Sequence, residues 1–182
     1  MVERGKAFLK VRLVDWVESW LLNLRQEYRS MARRLTADEH AGLRGYLKSD
    51  LLDTVRVVEL ERIPNPSFFP SLPSLGLPVP WNFASEPSLA VMDTILLSMP
   101  LTPPDRRLSV LFHECVHLQQ FQVLGLTKLV SRYIDGLFDN GFNYGKLPME
   151  QQAHDLQFRY DAGLKPFSVE HEVEQALIAG AI

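Results

Sequence analysis

FHECVHLQQ, residues 112 to 120, is the stretch on which the fold turns: two of the chain's five histidines stand four residues apart, with a glutamate directly after the first. On an α-helix that spacing puts His113 and His117 on one face a turn apart, near enough for both imidazoles to bind one tetrahedral zinc ion. Glu114 falls about 100° round the helix, beside such a metal without being obliged to ligate it. A carboxylate so placed can take a proton from a water whose pKa zinc lowers toward about 7, the chemistry of metal-assisted hydrolysis.

The flanking residues predict a helix with separate faces. Thr102-Pro-Pro-Asp105 offers a cap and first-turn prolines, so the helix is expected from near Pro103, and Gly125 supplies its stop. Leu108, Leu111, Phe112, Cys115 and Gln119 cluster opposite the histidines as the core face. Cys115 points about 160° away from His113, which makes it a small buried apolar residue and not a ligand.

Two histidines do not hold a metal, and the helix beginning KLPMEQQAHDLQFRY, residues 146 to 160, offers Glu150, His154 and Asp155 as a third ligand. Glu150 is preferred, because a first-turn carboxylate suits the positive helix end and Ala153 on its far side lets two helices approach. His154 shares the Glu150 face as a transition-state stabiliser or a replacement ligand. Tyr144, Tyr133 and Arg159 are further donors available to a developing oxyanion.

Composition bounds the remaining classes. At 182 residues, 46% apolar and 23% charged, the chain reads as a single folded domain spanning residues 1–182. A net charge of −3 with dispersed acids argues against nucleic acid and anionic membranes as partners. No window approaches the roughly eighteen apolar residues of a spanning helix, so membrane insertion is not expected. One cysteine and a charged start, MVERGKAFLKVRLVDW, argue against a disulfide and a signal peptide, which predicts a cytoplasmic protein.

Apolar periodicity predicts a helix over residues 7–34, and Thr36-Ala-Asp-Glu39 forms a capping box for a short helix to about Leu47. Residues 54–63 and 88–98 read as two strands, separated by an irregular proline-rich loop over residues 65–87. Further helices are expected after Gly125, over residues 148–162, and from a Ser168 cap toward Ile178. The sum is an α+β fold with a small sheet and helices on either side.

These residues resemble the zincin metallopeptidases of the gluzincin type. More narrowly, HECVHLQQ followed by YGKLPMEQQAH is similar to small bacterial domains with an HExxHxxQ helix and a downstream PxExxA helix. The resemblance covers about residues 88–163, while the N-terminal helical segment, residues 1–53, resembles nothing specific. It implies a zincin-like fold, with a small β-sheet packed against several helices and HExxH on a central helix. It further implies zinc on His113, His117 and Glu150, Glu114 as catalytic base, and Gln120 as a neighbour on the site face. An edge strand for substrate addition would fall at Val91–Leu97. Where thermolysin-like enzymes carry an aspartate four residues after the glutamate ligand, this chain has His154, which implies different support for the ligands.

The function expected is a zinc-dependent metallopeptidase acting on a peptide or protein substrate. A zinc-binding structural or interaction domain without hydrolysis is the alternative. A third reading is a metal-free helical module that uses the Trp16 and Trp20 stripe or the proline-rich loop.

Overall fold

The computed structural model describes residues 2–182. Among them, a four-stranded mixed sheet packs with seven α-helices in an α+β arrangement. The strands are β1 (Arg33–Arg34), β2 (Arg56–Leu60), β3 (Ser88–Val91) and β4 (Thr94–Ser98), in the order β1-β2-β4-β3. β2 and β4 run parallel, and β1 and β3 pair antiparallel on the two flanks.

The helix α1 (Val2–Tyr28) begins earlier than its apolar stripe predicts and stops before Arg33–Arg34, which pair with β2. The capping box closes as expected. The Thr36 hydroxyl accepts from the Glu39 amide, the Glu39 carboxylate accepts from the Thr36 amide, and α2 runs over Ala37–Leu43. A short helix, α3 (Ser49–Thr54), precedes β2 and buries Leu51 and Leu52, so the strand predicted from residue 54 starts later.

The segment predicted as one strand over residues 88–98 is a hairpin. Met92 turns it with φ 57°, a conformation costly for a side-chain-bearing residue, and Asp93 beside it is clamped by Arg25 through two hydrogen bonds of 2.8 Å and by Arg29. The expected edge strand at Val91–Leu97 is corrected accordingly: β4 is paired on both sides, and the free edge belongs to β3.

The motif helix α4 (Arg107–Leu124) starts later than predicted, because the Thr102 hydroxyl donates to the Pro87 carbonyl and does not cap. Gly125 ends the helix at φ 75°. The core face and the site face are distinct as expected, and neighbouring elements cover both. α4 is buried nearly all round, with Phe112, Cys115, Glu114, His117 and Gln120 all shielded by β3 and helices α2, α5, α6 and α7. Its histidine side looks into an internal cavity.

Three helices complete the frame: α5 (Leu126–Asp139), α6 (Pro148–Asp161) and α7 (Val169–Ile178), the last capped by Ser168 as predicted. Gly136 on α5 lets the start of α6 close in, since a Cβ there would stand 2.8 Å from a Leu147 methyl. Ala153, fully buried, lies on α6, which packs extensively against α4. Together these two small residues bring Glu150 toward the α4 histidines. No helix among the described residues is long and apolar enough to cross a membrane.

Candidate metal centre

His113 and His117 project from α4 into the cavity, and Glu150 enters it from the first turn of α6. The two Nε2 atoms lie 3.1 Å apart, and Glu150 Oε2 stands 3.7 Å from the first and 3.5 Å from the second. A tetrahedral zinc with bonds of about 2.0–2.1 Å separates its ligand atoms by about 3.3–3.4 Å, the middle of that observed range. His113, Glu150 and His154 also place ligand atoms within 4.8 Å of one another. The set containing His117 is tighter and includes both ring nitrogens that face each other, so His154 stands as its neighbour.

The polar groups behind the rings settle which nitrogen faces inward. Gln157 Nε2 donates to the Ser109 carbonyl and hydroxyl, which turns its Oε1 to accept from His113 Nδ1 at 3.1 Å. Gln120, fully buried, donates from Nε2 to the Met149 carbonyl and the Gln152 amide oxygen, leaving Oε1 to accept from His117 Nδ1 at 2.9 Å. With both Nδ1 atoms as donors, both Nε2 atoms present lone pairs to each other and to a carboxylate. A proton or a metal ion between them relieves that arrangement.

Electrostatics agree. Burial pulls the His117 imidazole down, but the charge and hydrogen bonding of Glu150 outweigh it and raise it to about 9. Burial alone would raise Glu150; the His117 charge and hydrogen bonds from both imidazoles and Tyr144 hold it well below the carboxylate range. A space that retains a proton so firmly suits a metal ion in its place, which binds deprotonated ligands. The donor set of two imidazoles and one carboxylate fits zinc.

Two tyrosines orient the carboxylate. Tyr133 from α5 and Tyr144 from the turn before α6 both donate to Glu150 Oε1, leaving Oε2 toward the histidines. Tyr144 and Tyr133, both named from the sequence as oxyanion donors, spend their hydroxyls on Glu150 in this structure. Trp81 of the proline-rich loop stacks on Tyr144 with ring centroids 3.6 Å apart. Arg159 pairs with Glu172 and lies over the Phe167 ring, away from the centre. His154 remains, exposed and tilted against His113 with ring centroids 4.6 Å apart. Asp155 is exposed and falls outside both groupings.

Glu114 is buried, and its Oε1 accepts a 2.7 Å hydrogen bond from the Ser88 hydroxyl on β3. The Glu114 side chain lines the same cavity as the two histidines. Cys115 is wholly buried on the opposite side, where burial pushes its thiol far up, as expected of a core residue.

Ser88, Gln157 and the clamping role of Tyr133 were missed in the sequence. Gln157 carries the one usable signal, since it lies seven residues after Glu150 and shares its helical face. Ser88 has none, because only the hairpin brings β3 beside α4.

The chain matches no family model, no curated protein and no solved structure. The class of protein therefore rests on the fold and the site alone: an α+β chain with a buried His-His-Glu triangle on two crossing helices and a carboxylate beside it.

Proposed function

We propose that the chain is a zinc-dependent metallopeptidase with a zincin-like fold of the gluzincin type. The observation that carries this reading is the triangle of His113 Nε2, His117 Nε2 and Glu150 Oε2, with both imidazole lone pairs turned inward. Further support comes from the antiparallel edge strand β3 beside the motif helix and from Glu114 in the same cavity.

His113, His117 and Glu150 would hold the zinc. When bound, zinc supplies a lowered pKa for water and a Lewis acid for the peptide carbonyl. Glu114 takes the proton of the attacking water and passes it to the leaving amine. Ser88 holds Oε1 of that carboxylate, so the proton moves on Oε2. His154, an exposed imidazole on the cavity wall, donates to the oxygen on which charge develops. Tyr133 and Tyr144 fix Glu150, and the two glutamines fix the rings.

The test pairs metal content with cleavage of a peptide library. Wild type should carry one zinc and cleave. Glu114→Gln should keep the zinc and lose cleavage by at least about a thousandfold, while His113→Ala and Glu150→Ala should lose zinc. Cleavage retained in Glu114→Gln removes the assignment of the base. Stoichiometric zinc in the wild type with no cleavage of any peptide favours the structural alternative.

A further inference from the structure

The cavity reached by the proposed metal centre has a volume of about 420 Å³, and most of its lining is apolar. The opposite wall is built by segments outside the motif region: Trp20 and Leu21 from α1, and Phe69 and Phe83 from the proline-rich loop. Apart from the triangle, Glu114 and His154, the charged side chains lining it are Glu86 and Arg106. Glu86 has no ion-pair partner among the described residues, and Arg106 is exposed at the rim.

We infer that the substrate inserts a large apolar side chain, aromatic-sized or bigger, into this wall beside the bond that is cut. The inference rests on the peptidase reading and goes beyond it by naming what the site selects. Size supports it: an apolar cavity of about 150 Å³ accepts one benzene ring, so the space takes a ring with flanking backbone. Chemistry supports it as well, because no basic or acidic partner on the far wall compensates the burial of a charged side chain.

The wall is also held in place before anything binds. Trp16 packs on Phe68 and Trp20 on Phe83, with ring centroids 5.5 and 4.9 Å apart, tying α1 to the loop. Lys10 to Asp135 at 2.6 Å, and Arg25 and Arg29 on Asp93, fasten the helix at two points. Prolines 66, 70, 73, 78, 80 and 87 restrict the loop further. Little ordering cost is left for the substrate to meet.

The experiment titrates zinc-loaded wild-type protein with three hydroxamates by calorimetry: acetohydroxamate, 3-phenylpropanehydroxamate and a chain-matched hydroxamate ending in a carboxylate. The phenyl compound should bind about 100-fold tighter than acetohydroxamate, and the carboxylate compound no tighter than acetohydroxamate. Val17→Trp, which fills the cavity from α1, should cut the phenyl advantage below about tenfold; should it fail to fold, the wild-type comparison decides alone. Acetohydroxamate binding with no phenyl advantage, a better carboxylate ligand, or an advantage untouched by Val17→Trp overturns the inference while leaving the metal centre standing. Binding of none of the three removes the metal centre and this inference with it.

Discussion

Gln157 offers the sharpest test of the metal centre, because it is a neutral residue outside the proposed ligand set and it holds one ring. Its Oε1 accepts from His113 Nδ1 at 3.1 Å, and its own orientation is set by Ser109, whose hydroxyl donates in turn to Asp161 at 2.8 Å. Gln157→Leu keeps the bulk and deletes the acceptor. The His113 ring, with only 12% of its side chain exposed, then carries an unpaired N–H at a cost of about 1–3 kcal/mol, and it loses the bond that turns Nε2 inward. Outer partners of this kind are worth about 10- to 100-fold in metal affinity, or about 1.4–2.8 kcal/mol. Competition against a chromophoric chelator should show the zinc Kd rising by that factor in Gln157→Leu. Gln157→Glu supplies a stronger acceptor to the same nitrogen and should bind zinc within about threefold of wild type. Wild-type affinity in Gln157→Leu, or equal losses in both variants, refutes the argument that this hydrogen bond sets the ring.

Two further predictions address parts of the molecule that the metal does not touch. Glu39 is buried between Arg33 and Arg107 and completes its own helix cap; burial opposes its charge, but these partners bring its carboxyl down to about 2. A carboxylate depressed in the fold stabilises above its unfolded value of about 4.5 and loses that contribution as pH falls through 2, and the depression is worth about 3 kcal/mol. Denaturation of Glu39→Gln should therefore show a loss of about 2–3 kcal/mol at pH 7 that shrinks between pH 4.5 and 2; a constant difference across that window refutes the linkage. Cys115→Ser should cost about 1–3 kcal/mol in urea unfolding, by placing a hydroxyl in a wholly buried apolar site, with zinc content unchanged; lost zinc would make Cys115 a ligand after all.

The parts of this fold legible in the sequence are those fixed by local chemistry. The capping box at Thr36, the first-turn proline of α6 and the Ser168 cap all appear where local chemistry demands, because the two caps satisfy amides three residues on and the proline has no amide to satisfy. The hairpin inside residues 88–98 was illegible for the opposite reason. Its turn is Met92-Asp93, with none of the glycine or asparagine that marks such turns, and it is held by Arg25 of α1 and Arg29 just after it, more than sixty residues away. Thr102 spelled a cap and instead spends its hydroxyl on Pro87, again a tertiary contact overriding a local signal.

The same division runs through the site. The atoms proposed as ligands were legible because helical spacing alone puts His113 and His117 together and first-turn placement frees Glu150. What makes those atoms usable was not legible, since it arrives from separate elements: Gln157 along α6, Tyr133 on α5, Tyr144 before α6 and Ser88 on β3. A pair of histidines four residues apart is common chemistry on a helix surface. What distinguishes this pair is that each ring has its outer nitrogen occupied by an amide oxygen that cannot rotate away, because its own nitrogen is already bonded. Removing either amide would leave a motif with the same spelling and an imidazole free to turn its lone pair elsewhere. The spelling proposes the centre, and the glutamines hold each ring in the tautomer whose Nε2 lone pair faces the cavity.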